Sequence, residues 1–235
     1  IAKRHLDAAL IAKANRDAAW QGTDEVAKAQ ALEVEFEASM QAIMAAAIAW
    51  DAVYAVLREH VTIPPSTLEK WRNGRTARYT QVAEVTRRAF SLTQKGASML
   101  RGNLKQIYRY RDLAVHPSGK IEAPLLHPEL NLGMEWRFVY FRAHNAELAV
   151  MAAAAMLWDL AHNAKSKDEK ISAAWVHDRT SYILQASRFA GITNAGVSAS
   201  NIPTYDGTTA YNTTLVYGSS NVLSGFTEPT LRDIF

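Results

Sequence analysis

Apolar residues recur every three or four positions along most of residues 1–190, which is the period of an amphipathic helix. The first such segment, residues 1–21, is predicted to bury one face made of Leu6, Leu10, Ala14 and Ala18. Gly22 ends this segment. Thr23-Asp24-Glu25 then supplies a helix N-cap followed by first-turn acids, so a second helix is predicted to begin there and to run to about His60.

The second helix is followed by two short ones. Its inner face is predicted at Phe36, Met40, Ile43, Ala47, Val53 or Tyr54, and Leu57. After Pro64-Pro65, the sequence Ser66-Thr67-Leu68-Glu69 is a capping box that predicts a short helix, and Asn73-Gly74 predicts the turn that ends it. Another short helix is predicted from about Thr80 to Ser91, with Val82, Val85 and Ala89 inward.

Two more long helices are predicted at Gln94–Val115 and Glu135–Asn163, with an irregular loop between them that contains Pro117, Pro124 and Pro128. The inner face of the first is predicted at Leu104, Ile107, Tyr108, Arg111 and Val115. That of the second is predicted at Trp136, Val139, Tyr140, Ala143, Val150, Ala154, Leu157 and Ala161. Ser166-Lys167-Asp168-Glu169 is another capping box and predicts a last helix to about Phe189.

The pattern therefore predicts an all-α bundle of four long helices and two short ones over residues 1–190, with no sheet. Residues 191–235 have a different composition. Between Gly191 and Thr227 the only charged residue is Asp206, and Thr, Ser, Asn, Gly and Tyr dominate. Asp206-Gly207 between short β-prone runs is a hairpin signal. We expect this region to be an extended or weakly β C-terminal arm.

Charge is distributed unevenly along the predicted bundle. The net charge is only +3, but Lys70 to Arg111 contains eleven Lys and Arg residues and a single acid, Glu84. The rest of the chain carries 15 basic and 22 acidic residues. Lys and Arg contacts to phosphates dominate nucleic-acid affinity, so a segment near +10 indicates a polyanionic partner.

Several classes of chemistry are not indicated. The chain has no cysteine, which excludes disulfides, cysteine metal sites and thiol nucleophiles. There is no glycine-rich phosphate loop and no Ser-His-Asp signature. His144 and Glu147 lie three residues apart, but no second such pair exists to complete a di-metal site. We therefore expect no metal and no cofactor.

Two apolar stretches, Met40 to Leu57 and Leu148 to Leu157, are the longest in the chain, and the first is interrupted by Asp51. Both are rich in alanine and have charged residues or histidines close by, which is more typical of packed bundle helices than of membrane spans. These features predict a cytoplasmic protein without a membrane partner.

The basic segment ends in Arg111-Asp112-Leu113-Ala114-Val115-His116, followed by Pro117. In a straight helix, residues five apart differ by roughly 140° around the axis. Proline pushes the preceding residue out of the α region, so the helix is predicted to end near Val115 and to release the His116 ring. Arg111 and His116 could then reach one phosphate. RNA cleavage by the 2′-hydroxyl needs a group that titrates near neutrality and a cation at the phosphoryl oxygens, which His and Arg can supply.

The arrangement Arg, polar residue, three spacers, His at the end of a bundle helix resembles the HEPN superfamily, many of whose members are ribonucleases that serve as toxins or in anti-phage defence. The specific part of the resemblance is Arg111, Asp112 and His116. It implies catalytic roles for Arg111 and His116, an orienting role for Asp112, and a homodimer that doubles the site. It also raises the expectation of a cognate antitoxin or inhibitor protein.

Other residues are candidates for supporting roles. Asp51 lies on an otherwise apolar helix face, where an unpaired carboxylate would be costly, so it either holds His116 or Arg111 or is hydrogen-bonded to a Tyr or Trp. The candidates for RNA binding are Arg101, Lys105 and Arg109 on one helix face, and Arg72 and Arg75 in the turn after Trp71, a residue that could stack a base.

Each candidate also has a structural interpretation. Arg and His are favourable at any helix C-terminus, and a basic helix face can simply be solvated. Trp71 could equally be a core anchor. The prediction is a metal-independent endoribonuclease. The alternatives are a non-catalytic helical module that binds RNA, a nucleotide or a protein, and a helical assembly subunit that uses its uncharged arm.

Overall fold

The computed structural model of the protein describes residues 1–116, 123–164, 166 and 168–172. Helices make up 78% of the residues that can be interpreted. The helices and strands are, in chain order, α1 (Ala2–Trp20), α2 (Glu25–His60), α3 (Pro65–Asn73), α4 (Arg78–Ala89), α5 (Gln94–Val115), β1 (Leu125–His127), β2 (Leu132–Met134), α6 (Trp136–Tyr140) and α7 (Ala143–Asn163).

The predicted all-α class is confirmed. The four long helices are α1, α2, α5 and α7, and the two predicted short helices are α3 and α4. The helix that begins near residue 169 is described only as far as Ser172. The rest of that predicted helix, and the predicted arm at residues 191–235, lie outside the described residues.

The prediction of no sheet in residues 1–190 was wrong. β1 and β2 form an antiparallel hairpin with His127 opposite Leu132, inside the segment that was predicted to be an irregular loop. The turn between the strands holds Asn131 at φ 52°, a left-handed conformation that asparagine tolerates better than most residues. The Asn131 N–H closes the turn by donating to the His127 carbonyl. Strands of three residues carry too little alternation to be seen in a sequence.

The single helix predicted at Glu135–Asn163 is two helices, with a break at Phe141 and Arg142. The first N–H of α7, that of Ala143, donates to the buried carboxylate of Glu35 at 2.9 Å. Arg142 Nη1 donates to Glu129 Oε1 at 3.0 Å. The two carboxylates that stabilise the break, those of Glu35 and Glu129, come from other parts of the chain. The periodicity of apolar residues across the break therefore did not predict it.

Of the three predicted helix caps, one is correct and two are displaced. Asp24 caps α2 as predicted, because its Oδ1 accepts the N–H groups of Val26 and Ala27. α3 begins one residue before the predicted Ser66 cap, with Pro65 in its first turn and no side-chain cap. In the helix near residue 169 the cap is Asp168, which accepts from Lys170 and Ile171, rather than Ser166.

The chain divides into two compact units. Unit 1 contains Ile1–Ala46 and Arg109–Val150, and unit 2 contains Ala47–Tyr108 and the described residues from Met151 onward. α2, α5 and α7 each contribute residues to both units.

Unit 1 has an aromatic core. Phe36 packs edge-on against Phe138 and Phe141, with ring centroids 5.5 and 5.9 Å apart, and Tyr110 packs in the same way against Tyr140. The predicted face of α1 was wrong except for Leu6, because Leu10, Ala14 and Ala18 are exposed. The residues of α1 that are buried are Leu6, Ala9, Ala12 and Arg16.

Unit 2 has a mainly aliphatic core that follows the predicted faces closely. Val82, Val85 and Ala89 of α4 are buried, as are Leu104, Ile107 and Tyr108 of α5. On α2, Trp50 and Leu57 are buried, whereas Val53 and Tyr54 are only half-buried. α4 and α5, which carry most of the basic segment, therefore each bury an apolar face in this core.

Candidate functional site

The predicted motif lies on the last turn of α5, in unit 1. The helix ends at Val115, as the proline at position 117 predicted. Arg111 Nη1 donates to Asp112 Oδ1 at 2.7 Å, and the Arg111 side chain is about one-third exposed. This is the contact that an orienting role for Asp112 requires. Val115, which was predicted to be inward, is exposed instead.

Tyr110 fixes this last turn from the inside. Its ring is fully buried between Tyr140 and Phe141, at centroid distances of 6.1 Å, and Asn145 of α7 lies within 3.5 Å of its hydroxyl. Because Tyr110 is packed in the core, the backbone of the next residue, Arg111, is held in place.

His116 is the first residue after α5 and its side chain is exposed. Its N–H still donates to the Asp112 carbonyl at 2.8 Å, so the helical hydrogen bonding reaches this residue although the helix has ended. An exposed imidazole directly after a helix end is accessible to a ligand, which a buried structural histidine would not be.

Asp51 belongs to unit 2, and its partners include a tyrosine, as the structural alternative predicted, and an arginine that the sequence did not predict. Its Oδ1 accepts from the hydroxyl of Tyr108 at 2.9 Å and from Arg78 Nε at 2.7 Å. The guanidinium of Arg78 lies 3.7 Å from the ring centroid of Tyr54, which is a cation–π contact. The predicted hydrogen bond to a tyrosine is therefore present.

The structure shows which of the eleven cations in the basic segment form an ion pair with a carboxylate. Arg87 and Arg88 both bind Glu84, Arg78 binds Asp51, and Arg111 binds Asp112. Six others make no ion pair with a carboxylate of the described residues, namely Lys70, Arg72, Arg75, Lys95, Arg101 and Lys105. Of the predicted RNA-binding residues, Arg72, Arg75 and Arg101 are exposed, and Lys105 and Arg109 are half-buried.

The two predicted groups fall in different units. Arg111, Asp112 and His116 belong to unit 1 together with Arg109, whereas Arg72, Arg75, Arg101 and Lys105 belong to unit 2. Within the motif, Asp112 accepts from the Arg111 guanidinium through its carboxylate and from the His116 N–H through its carbonyl.

Sequence reasoning missed a cluster of four charged residues in unit 1, of which Arg16, Glu35 and Arg142 are buried and Glu129 is part-buried. Arg16 is fully buried and binds Glu35 at 2.8 Å and Glu129 at 2.6 Å, and Arg142 binds the second oxygen of Glu129. Burial alone would raise the pKa of Glu129, but the hydrogen bond from Arg16 and the charges of Arg16, Lys13 and Arg142 lower it to about 2. We call Arg16, Glu35, Glu129 and Arg142 the buried ion cluster.

His127 lies next to the buried ion cluster and is fully buried. Its Nδ1 accepts the N–H groups of Glu129 and Leu130, at 3.3 and 3.2 Å, so the hydrogen-bonding pattern requires the neutral ring. Burial, followed by the charge of Arg16, lowers the pKa of His127 to about 4. The one available sequence signal was the dipeptide His127-Pro128 ahead of an acid, which is too short to distinguish this arrangement from a surface loop.

Unit 2 also contains an open cavity of about 490 Å³, lined in part by His60, Arg87, Arg88 and Asp168. Its two arginines already share Glu84, with Arg87 bidentate and Arg88 at 2.6 Å. The charge in this cavity is thus largely satisfied within the protein. Among the described residues no three His, Asp or Glu side chains are grouped so that they could hold a metal ion.

α2 is the one helix among the described residues that is long and apolar enough to cross a membrane, with a window of mean hydropathy 1.6. One-third of that window is buried within the protein. A core helix of a soluble protein passes the same test. α2 also carries the buried Glu35, whose carboxylate binds Arg16 and the N-terminus of α7.

No protein-family model matches the chain, and neither a curated protein nor a solved structure matches it.

Proposed function

We propose that the protein is a metal-independent endoribonuclease of the HEPN type, with Arg111 and His116 as its catalytic residues. The observation that carries the proposal is the end of α5, where an arginine held by a neighbouring carboxylate is followed by an exposed histidine just beyond the helix. The all-α architecture around this motif agrees with the resemblance. The six cations that pair with no carboxylate of the described residues agree with a polyanionic substrate.

The chemistry follows from the two side chains. The 2′-hydroxyl of RNA attacks the adjacent phosphorus, the oxygen–phosphorus bond to the next nucleotide breaks, and a 2′,3′-cyclic phosphate remains. His116 takes the proton from the 2′-hydroxyl or returns one to the leaving 5′-oxygen. Arg111 stabilises the negative charge that develops on the phosphoryl oxygens, and Asp112 restricts the orientation of its guanidinium.

The proposal includes the setting in which the protein acts. A cytoplasmic location fits a ribonuclease that acts on cellular RNA. A role as a toxin or in anti-phage defence would require control by a cognate antitoxin or inhibitor protein. No cofactor takes part in the proposed reaction.

One arginine and one histidine are few groups for phosphodiester cleavage, so we propose a homodimer in which both copies of the motif lie near the two-fold axis. Light scattering of the full chain at micromolar concentration should report a dimer. A monomer that cleaves RNA at the same concentration would contradict this part of the proposal.

The proposal is tested by incubating purified full-length protein with mixed RNA in EDTA. The wild-type protein should cleave RNA, whereas His116→Ala and Arg111→Ala should each abolish cleavage and keep the same circular dichroism and thermal transition. Matched controls are His5→Ala, a half-buried histidine of α1, and Arg137→Ala, whose arginine binds its neighbour Glu135 as Arg111 binds Asp112. Both controls should cleave as the wild type does.

The same experiment decides between the ribonuclease and a non-catalytic RNA-binding module. The specific observation in favour of such a module is the set of exposed cations in unit 2, which does not depend on the motif. If wild-type protein binds RNA but leaves it intact, or if His116→Ala cleaves RNA as fast as wild type, the motif is only a helix end and the ribonuclease proposal fails.

A further inference from the structure

The turn between α3 and α4 has a tightly specified backbone. The Gly74 N–H donates to the Lys70 carbonyl at 2.9 Å, and the Thr76 N–H donates to the Trp71 carbonyl at 3.1 Å. A Cβ at Gly74 would lie 2.9 Å from that Lys70 oxygen, so no side chain fits there without a shift. Arg75 follows at φ 46°, a left-handed conformation that costs energy in an arginine.

The turn is also fastened to the rest of unit 2. Gln81 of α4 donates from its side-chain amide to the Thr76 carbonyl at 2.8 Å. Arg78, the first residue of α4, is held by the Asp51 carboxylate and lies over the Tyr54 ring. Asp51 in turn accepts from the buried Tyr108. Through Arg78, Asp51 fixes the start of α4 and therefore the position of the turn.

A turn fastened in this way presents cations to solvent. Lys70, Arg72 and Arg75 are exposed, and none of them makes an ion pair with a carboxylate of the described residues. Arg87 and Arg88, at the other end of α4, by contrast both form ion pairs with Glu84. Arg75 therefore combines a strained backbone with an exposed cation that no carboxylate of the described residues binds.

Trp71 lies within this group of cations. Its side chain is half-buried, and it forms no ring–ring contact with an aromatic residue of the described chain. Cations that bind the phosphates of the nucleic acid, combined with a partly exposed aromatic ring on which a base can stack, are the features by which proteins bind single-stranded nucleic acids. A duplex hides the faces of its bases and would leave the ring unused.

We propose that the turn formed by residues 70–78 is a docking site for single-stranded RNA, and that Asp51 is a positioning residue for this site rather than a catalytic one. We refer to it as the docking turn. Arg72 and Arg75 bind phosphates and Trp71 stacks a base. The choice of RNA as the polyanion rests on the proposed function, but the site itself does not depend on the chemistry at His116.

The test measures binding separately from cleavage. The probe is a short fluorescent single-stranded oligonucleotide with 2′-O-methyl groups, which the proposed reaction cannot cleave. Arg72→Gln with Arg75→Gln in the full chain should weaken binding about tenfold, and should reduce the slope of log affinity against log salt by about 1.4, or about 0.7 for each lost phosphate contact. Trp71→Ala should weaken binding by roughly the amount that one stacked base contributes, about tenfold.

The matched control is Arg4→Gln with Arg137→Gln, which removes the same charge from two exposed arginines of unit 1. If the control weakens binding as much as the Arg72 and Arg75 variant does, the effect is one of net charge and the docking turn is refuted. If poly-glutamate displaces the oligonucleotide from the wild type but not from the docking-turn variant, at equal charge concentration, the site recognises acidic proteins and RNA is the wrong ligand.

The role of Asp51 has its own readout. Asp51→Ala should weaken oligonucleotide binding several-fold and raise KM for cleavable RNA, while kcat at saturating RNA and its pH profile stay as in the wild type. Asp51→Asn, which keeps an oxygen acceptor for Tyr108 and Arg78, should recover most of the affinity. A loss of kcat in Asp51→Asn with unchanged binding would make Asp51 catalytic. Arg78→Gln should reproduce the binding defect, and provides the test if Asp51→Ala does not fold.

These outcomes separate the two proposals. Binding that depends on the docking turn, in a protein that leaves RNA intact, would support the docking site and reject the ribonuclease. Cleavage that depends on His116, with binding unaffected by Arg72, Arg75 and Trp71 substitutions, would do the reverse.

Discussion

The buried ion cluster of unit 1 and the docking turn of unit 2 are both rich in arginine, but the two regions use it in opposite ways. Arg16 is fully buried, and its guanidinium binds Glu35 and Glu129. Arg72 and Arg75 are exposed, and no carboxylate of the described chain binds them. The first arrangement holds elements of the fold together, whereas the second leaves charge available to a ligand.

The difference shows that the number of cations in a segment is a poor guide to where a polyanion binds. The segment from Lys70 to Arg111 looks uniformly basic in the sequence, but Glu84 alone forms ion pairs with two of its arginines. Arg16 lies in α1, among residues that looked like an ordinary amphipathic helix, but it is fully buried and binds two carboxylates. Internal pairing decides which cations a ligand can reach.

The largest expected difference between the two regions is in the free energy of unfolding when Arg16 or Arg75 is replaced. Arg16→Met leaves the buried Glu35 and the part-buried Glu129 without their shared partner, and losing one member of a buried ion pair costs about 3 to 5 kcal/mol. Arg75→Gln removes an exposed side chain without an ion pair and should change the free energy of unfolding by less than about 0.5 kcal/mol. Urea denaturation of both variants measures this, and equal effects would contradict the assignment of one arginine to the fold and the other to a ligand.

Acid should weaken unit 1 through His127. Its pKa is about 4 in the folded protein against 6.5 as the ordinary value, so the unfolded chain binds the proton first. The neutral ring's contribution is fully present above pH 6.5 and is lost as the pH falls from 6.5 to 4, by an amount on the order of 3 kcal/mol. Below pH 4.5 Glu129 adds to the loss, because its pKa is lowered to about 2.

The control for this effect is His127→Asn. The asparagine oxygen can accept the N–H groups of Glu129 and Leu130 in place of the imidazole nitrogen, and it does not titrate. The fall in unfolding free energy between pH 6.5 and 4.5 should therefore be smaller in the variant. The same slope in both proteins would show that His127 is not the group responsible.

Substitutions at two glycines should have the smallest effects on stability, and they test the backbone of α5 and of the docking turn separately. Gly102 lies in the interior of α5 between Arg101 and Lys105, and a Cβ there would meet nothing within 4 Å. Gly102→Ala should raise the free energy of unfolding by up to about 1 kcal/mol through helix propensity. Gly74→Ala should lower it, because the new Cβ would collide with the Lys70 carbonyl in the docking turn. A gain in stability for Gly74→Ala would show that this turn is not tightly specified.

Much of the fold could be predicted because it is local. The long helices follow from apolar period and from caps such as Asp24, and the end of α5 follows from the proline after His116. The break before Ala143 could not be predicted, because it depends on a carboxylate 108 residues earlier in the chain. The buried face of α1 was missed for the same reason, since only the distant partners of Arg16 make its burial favourable.

The candidate site shows the same division. Arg111 and Asp112 are adjacent in the sequence, and their contact needs little beyond a helix. Asp51 could bind either a residue of the motif or a tyrosine, and the sequence did not decide between these two interpretations. The answer depends on which helices lie next to Asp51 in α2. The observed bonds to Tyr108 and Arg78 come from α5 and α4.

The end groups of the RNA products test the central claim most directly. Purified wild-type protein is incubated in EDTA with an oligonucleotide that contains a single ribonucleotide among deoxynucleotides. The masses of the fragments are then determined by mass spectrometry. Attack by the 2′-hydroxyl predicts one cut, directly after the ribose, and a 2′,3′-cyclic phosphate on the upstream fragment. An uncut oligonucleotide, cuts at deoxy positions, or a free 3′-hydroxyl with a 5′-phosphate would contradict catalysis by Arg111 and His116.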